Sequence, residues 1–307
     1  MHEFHPMRGI ALMMLAVVCF AGGDAMVKHL TTHVPVLIIV WFRYTVHCIL
    51  MLILLGPTVG RGLIRTDKPW ALTLRGLTLV ITTMLGTAAF HTMPLAETTA
   101  VIFLSPLIVS LAAGPVLGEK IGWPHWLAVA AGFCGVLFIA RPGSGIVGIG
   151  LFYALGAASG LSIYQLQTRK LAGSENPYVL LFFTALTGTV VMSLGAPFYW
   201  SSFALDGLTG GLLLSLGAIA ALGHLFLNQA FRHAPASTLS PTMYMQLAWA
   251  TLLGWLLFDH WPNGYAIVGM IIIAISSGGL IVIEHRRHSQ LIKSSSGPTE
   301  VMHTERR

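Results

Sequence analysis

The sequence predicts an all-α membrane protein of ten transmembrane helices, arranged as two inverted five-helix units. Three observations predict it. The 307 residues are 55% apolar and only 9% charged, with a mean hydropathy of +0.77, where an average soluble domain carries roughly 25% charged residues. Stretches without Asp, Glu, Lys or Arg recur at spanning length. The chain also matches itself at one constant offset of 141 residues.

The charge-free stretches run over 76–96, 98–118, 121–140, 142–168, 176–205, 207–231, 233–258 and 260–283, each 20 to 30 residues long. A spanning helix needs about 20. Two shorter stretches, 9–23 and 44–60, abut the single charges Asp24 and Arg43. The expected helices are therefore 9–28, 35–55, 70–90, 94–117, 122–140, 146–168, 177–199, 207–231, 235–258 and 262–283. Gly and Pro punctuate the connections, as at Gly56-Pro57 and Pro142-Gly143, which is where helices end. The runs are continuous rather than alternating, which excludes a β-barrel.

Basic residues orient the helices. With the N-terminus inside, cytoplasmic segments hold 13 of the 17 Lys and Arg, among them Arg61, Arg65, Lys68, Arg169, Lys170, Arg286 and Arg287. The outer segments hold only Lys28 and Arg141, and Arg43 and Arg75 lie within helices. Both termini are expected in the cytoplasm of an inner-membrane protein, and residues 285–307 read as a polar, mobile tail. The net charge of +6 is dispersed over short connections rather than gathered into a nucleic-acid stripe. Cys19, Cys48 and Cys134 lie inside apolar runs without metal or disulfide spacing.

Shifting the sequence by 141 residues sets Lys28 on Arg169, Phe42 on Phe183, Gly76 on Gly217, Ala89 on Ala230, Phe90 on Phe231 and Pro94 on Pro235. A slip of about one residue enters only after position 117. A repeat of this length marks a duplicated unit. Each unit holds an odd number of spans, so the second enters the membrane from the opposite side. The expected units are 9–141 and 146–284. Cleavage of residues 1–23 as a signal peptide would remove an element that has a partner in the second unit. Inverted repeats are the architecture of many secondary transporters, whose solute site lies near the midplane between the repeats.

Ionisable groups within spans cost several kcal/mol unless paired or hydrated. Asp24 and Arg43 both fall in the outer half, Arg43 about 12 Å deep at 1.5 Å per residue. One reading has Arg43 binding an anionic group with Asp24 as orienter or titrating switch; the other is a structural salt bridge. Arg75 lies about 8 Å from the inner surface, close enough to snorkel. Glu97 opens a helix, where the dipole favours a carboxylate, and Glu119 closes one against the dipole; either serves as a gate contact or a helix-end charge. Tyr164, Gln165, His224, Asn228, Tyr244, Gln246 and Trp249 fall inside spans and must turn from lipid, either lining a wet cavity or joining helices. Asp24 and Gln165 are equivalent under the 141 shift. Pro106 and Pro241 sit inside expected helices, as hinges or as static kinks.

Several short motifs follow in order: Asp24 to Lys28 (D-A-M-V-K), Trp41 to Tyr44 (W-F-R-Y), Leu74-Arg75-Gly76, Leu95 to Glu97 (L-A-E), Ser105-Pro106, Leu117 to Glu119 (L-G-E), Ala234 to Ala236 (A-P-A) and Leu257 to Pro262 (L-F-D-H-W-P). Together they make residues 9–284 resemble the drug/metabolite transporter superfamily, with two EamA-type units. The D-x-x-x-K and W-F-R-Y pieces are most similar to the branch containing S-adenosylmethionine and riboflavin uptake proteins. The resemblance implies an inner-membrane carrier with a central cavity, moving a small solute in or out. One departure is Asp259, where the family often has Glu.

No metalloprotease, nucleophile-elbow or P-loop motif occurs, so neither an enzyme nor a cofactor is expected, and a carrier would draw on a proton gradient or on exchange. A non-transporting membrane scaffold is the reading from another class, and the chain is expected as a monomer or homodimer.

Overall fold

Apolar runs of this length satisfy their backbone polar groups internally by coiling into helices, the one local solution open to a segment facing lipid. The computed structural model describes residues 6–117, 123–140, 148–172, 174–233 and 242–295, and the described residues are helical apart from short connections. The helices are α1 (Pro6–Leu30), α2 (Val36–Val59), α3 (Pro69–Thr92), α4 (Leu95–Ile102), α5 (Ser105–Leu117), α6 (Trp123–Ala140), α7 (Ile149–Ala172), α8 (Pro177–Tyr199), α9 (Gly207–His233), α10 (Met245–Phe258) and α11 (Gly264–Ser295). Among the described residues, six segments are long and apolar enough to cross a membrane, and four shorter apolar helices accompany them.

Two expectations change. The span 94–117 is interrupted at Phe103 and Leu104, so Pro106 is the second residue of α5 rather than an interior residue. There its missing N–H costs nothing, because the first turn has no intrahelical acceptor for it. The tail after 284 begins as helix, since α11 runs on to Ser295 with no Gly or Pro between Gly279 and Gly297 to stop it.

The 141-residue repeat reappears as a repeat of contacts with the halves exchanged. α1 packs along α9, and α7 along α3; α2 lies against α9, and α8 against α3. At these crossings glycine removes a side chain where its partner's equivalent approaches. Gly76 leaves no room for a Cβ beside Thr187, whose side chain would lie 2.8 Å away, and Gly217 leaves none beside Val46, the equivalent of Thr187. Gly160 faces Thr82 on the α7–α3 crossing, and Gly223 faces Cys19 on α9–α1, again one pair in two copies. Phe103 packs on Tyr244, its own equivalent, with ring centroids 5.5 Å apart. Such contacts are the signature of a two-fold relation between the halves.

Large apolar side chains remain exposed along the barrel of the bundle, for example Ile53, Phe152, Leu194 and Ile275. Exposed aromatics gather at both ends, with Trp70, Trp123 and Trp126 at one and Trp200, Trp255, Trp261 and Tyr265 at the other. This is the belt pattern of residues that are apolar in body and polar at the tip.

Candidate functional site

At one end a cluster of buried apolar residues joins the last turns of α1 and α3 to the first turns of α2, α4 and α9 through Leu30, Ile38, Phe90, Leu95 and Leu213. Polar links reinforce it. Lys28 Nζ donates to the Met93 carbonyl at 2.8 Å, and His91 Nδ1 donates to the Thr31 carbonyl at 2.7 Å. Glu97, on the first turn of α4 and only 6% exposed, meets His260 Nε2 at 3.1 Å. Just outside, Asp206 caps α9 by accepting from the Thr209 N–H at 2.7 Å, and the Thr209 hydroxyl and N–H together hold its carboxyl below the usual range. This end is closed.

Below the closure, α2, α3, α7, α8 and α9 surround a cavity of about 20 Å³, room for a water molecule. Arg43, Tyr44 and His47 line it from α2, Tyr164 from α7, Thr184 from α8 and His224 from α9, so both halves contribute. His47 and His224 stack face to face, centroids 5.9 Å apart at 15°. Tyr44 shares a 2.8 Å hydrogen bond with Thr83 Oγ1. The threonine proton is given to the Leu79 carbonyl, so Tyr44 is the donor there. A wider apolar cleft of about 830 Å³ opens between α2, α8 and α9. It reaches from Asn176 and Tyr178 at the start of α8 to His47 and Leu181, which it shares with the small cavity.

Arg75 does not snorkel. It is 3% exposed and fills the space beside the cavity, donating to Thr168 Oγ1 at 2.7 Å, the Leu180 carbonyl at 3.0 Å, Thr184 Oγ1 at 2.7 Å and the Tyr164 hydroxyl at 2.5 Å. Its guanidinium also lies 4.3 Å from the Tyr164 ring centre. Every acceptor is neutral.

Of the residues expected to form a site, Arg43, Tyr164 and His224 come together at this cavity. Asp24 and Gln246 meet elsewhere, Gln246 Nε2 donating to Asp24 Oδ2 at 2.9 Å between α1 and α10. Among the described residues Asp24 and Arg43 form no ion pair, although they are close enough to feel each other electrostatically. The carboxyl is held by an amide instead. Gln165 Nε2 donates to Ser105 Oγ at 3.2 Å, and Gln165 and Ser105 are the 141-shift equivalents of Asp24 and Gln246. Both bonds therefore join the halves at the α4–α5 break and its counterpart. Tyr244 packs on Phe103 with the rings tilted at 50°, and Trp249 packs among Met13, Val17 and Ala230, its indole N–H buried without a partner among the described residues. Glu119 and Pro241 lie outside the described residues, as does the side chain of Asn228. Sequence reasoning missed Tyr44, His47 and Thr184. His47 carried a signal, being four residues after Arg43 and so on the same helix face.

Comparison with known proteins agrees with this architecture. Residues 7–141 and 148–282 each match the EamA-like transporter family. The chain is 27% identical to an S-adenosylmethionine uptake transporter of Rickettsia conorii, covering 86% of this chain and 89% of the relative. A riboflavin transporter of Rhizobium johnstonii is 30% identical over 75% of this chain and 76% of its own length. A pseudopaline exporter of Pseudomonas aeruginosa is 28% identical over 87% and 94%. One solved crystal structure superposes with a TM-score of 0.64, covering 91% of this chain and 98% of the other at 18% identity, a likeness of fold.

Proposed function

Because the chain belongs to the EamA-like transporter family, and is thus a multi-pass membrane transporter rather than an enzyme, we propose that it moves a small polar metabolite by alternating access. The proposed architecture is ten crossings as two inverted units, 9–141 and 146–284, in a bacterial inner membrane with both termini in the cytoplasm. The observation that carries the proposal is the polar cavity drawn from both halves beneath a closed end. In this reading the basic residues lie inside, the closed end faces outward and the α2–α8–α9 cleft faces the cytoplasm, as in an inward-facing state.

Alternating access then requires the outer contacts to part. Lys28–Met93 and Glu97–His260 are the links to break, and α4 is a short element free to tilt about the break at Phe103 and Leu104. Uptake of an S-adenosylmethionine-like solute is supported by one of the relatives, movement of a riboflavin-like solute by the second, and export by the third. Proton coupling or exchange supplies the energy. The test is flux into sealed proteoliposomes carrying the full chain, with labelled S-adenosylmethionine, riboflavin and amino acids, under proton gradients of either sign. Saturable movement of one solute is expected. A folded protein that moves none of them, in either direction, would favour a membrane scaffold.

A further inference from the structure

The hydrogen-bond inventory around the cavity is lopsided. Thr184 gives its proton to the Leu180 carbonyl at 2.8 Å, and Thr168 gives its own to the Tyr164 carbonyl at 2.7 Å. Both therefore meet Arg75 only as acceptors. The Tyr164 oxygen also accepts from Arg75, and its phenolic proton lies within hydrogen-bonding reach of the Thr184 and Thr168 oxygens. Arg43 lines the same cavity, and among the described residues its guanidinium makes no hydrogen bond and no ion pair. A guanidinium carries five N–H donors and no acceptor. A histidine ring nitrogen can accept, but among the described residues neither His47 nor His224 takes a hydrogen bond from Arg43, so its donors remain in hand. Charge tells the same story. Among the described residues, two guanidiniums, Arg43 and Arg75, stand in this part of the bundle against one carboxyl, Asp24, which feels Arg43 and is bound to Gln246.

We infer that the transported solute carries a carboxylate, received by the Arg43 guanidinium. The inference rests on the carrier reading and narrows its substrate class. Arg43 supplies a planar two-pronged donor that fits a carboxylate edge. One excess positive charge matches a monoanion, so a carboxylate suits the site better than a dianionic phosphate. Arg75 is a positioning residue. By donating to Tyr164, Thr168 and Thr184 at once it holds these side chains together beside the cavity. The cavity as it stands holds only a water, so the solute enters through the cytoplasmic cleft and displaces side chains as it binds.

The purified full chain in detergent provides the test, read by its thermal unfolding midpoint with matched pairs: L-methionine and L-methioninamide, lactate and lactamide, with inorganic phosphate alongside. Carboxylates are expected to raise the midpoint and their amides to leave it in place. Arg43→Gln should weaken the carboxylate response about ten- to a hundredfold in concentration, the value of a charge-assisted hydrogen bond. Arg43→Lys should restore part of it, and Tyr164→Phe should weaken it less than Arg43→Gln. Amides or phosphate acting as strongly as carboxylates, or no response to any carboxylate, would overturn the inference. So would a flux in proteoliposomes that Arg43→Gln leaves unaltered, although that result leaves the carrier standing. A carboxylate-specific response in a chain that moves no solute would uphold the site and remove the carrier reading.

Discussion

The two halves of the molecule share a scaffold and differ in chemistry. Gly76 and Gly217 make the same close crossing, and Thr82–Gly160 repeats Cys19–Gly223. Asp24–Gln246 and Ser105–Gln165 make the same bond between halves. At the cavity the correspondence stops. Under the 141 shift Arg43 answers to Thr184, His47 to Gly188, Arg75 to Leu216, Tyr164 to Gly23 and His224 to Thr83. Packing contacts lie on both sides of a two-fold axis and are used twice, so duplicating them serves both halves. A solute has no such symmetry, and a site that holds it by one charged group needs that charge once. Gly188 shows the cost of the asymmetry, because the Tyr44 ring fills the space where the counterpart of His47 would stand.

If the crossing glycines form one device in two copies, breaking either copy should cost alike. Gly76→Ala would set a Cβ 2.8 Å from Thr187, and Gly217→Ala would press on Val46 and stand 3.2 Å from the Arg43 carbonyl. Helix backbones must separate to relieve either clash, and overpacking of this kind costs about 1–3 kcal/mol. Gly22→Ala, with nothing within 4 Å of the new Cβ, is the control and should leave stability unchanged or slightly improved. Thermal unfolding in detergent measures all three. A large loss at 217 with none at 76 would mean that the second half alone carries the packing.

Arg75 sharpens the other side of the comparison, since Leu216 shows that the scaffold itself does not need a cation at this place. Arg75→Met removes four donated hydrogen bonds and leaves the Tyr164 and Thr168 oxygens facing an apolar chain. A loss of about 2–3 kcal/mol is expected, the order for orphaned buried polar groups. Tyr164→Phe alone should cost less, because Arg75 keeps three of its acceptors. Equal losses would mean that the Arg75–Tyr164 bond supplies most of the stabilisation.

Helix positions and the repeat were legible because both are one-dimensional signals, charge-free length and a constant offset. Among the described residues the helices fall close to their expected positions, save at Phe103 and Leu104, where the Ser105-Pro106 pair starts a helix instead of bending one, and after residue 284, where the last helix runs on to Ser295. The site was harder to read. Depth along a helix can be counted from its end, which placed Arg75 within reach of the surface, but the face a residue presents cannot. Arg75 precedes Gly76, and a glycine that recurs at 217 marks the face in contact with another helix. That clue pointed inward. The Asp24–Arg43 pairing failed for a related reason: similar depth on adjacent helices does not decide which partner a carboxyl meets, and Gln246 from the other half is the one it finds.

The smallest effect concerns Asp259, where this chain departs from the glutamate frequent in its family. Asp259 ends α10 with φ 50° and ψ 31°, a left-handed conformation, and its N–H returns to the carbonyls of Gly254 and Trp255. Among the described residues it is the one non-glycine with positive φ. A short polar side chain tolerates this conformation better than a longer one, because Asp and Asn bond locally to the backbone there. The aspartate is thus accounted for by the turn it makes, with no role in the cavity required. Asp259→Gly removes the Cβ penalty at a helix C-cap and should stabilise by a few tenths to about 1 kcal/mol. Asp259→Glu should be slightly destabilising, and Asp259→Val should lose about 1–2 kcal/mol, since a β-branched residue is a poor fit to left-handed backbone. Solute flux per folded molecule should be unchanged in all three. An Asp259→Gly variant that folds as well as the parent yet transports poorly would return this carboxylate to the mechanism, as a contact at the outer end rather than a cap.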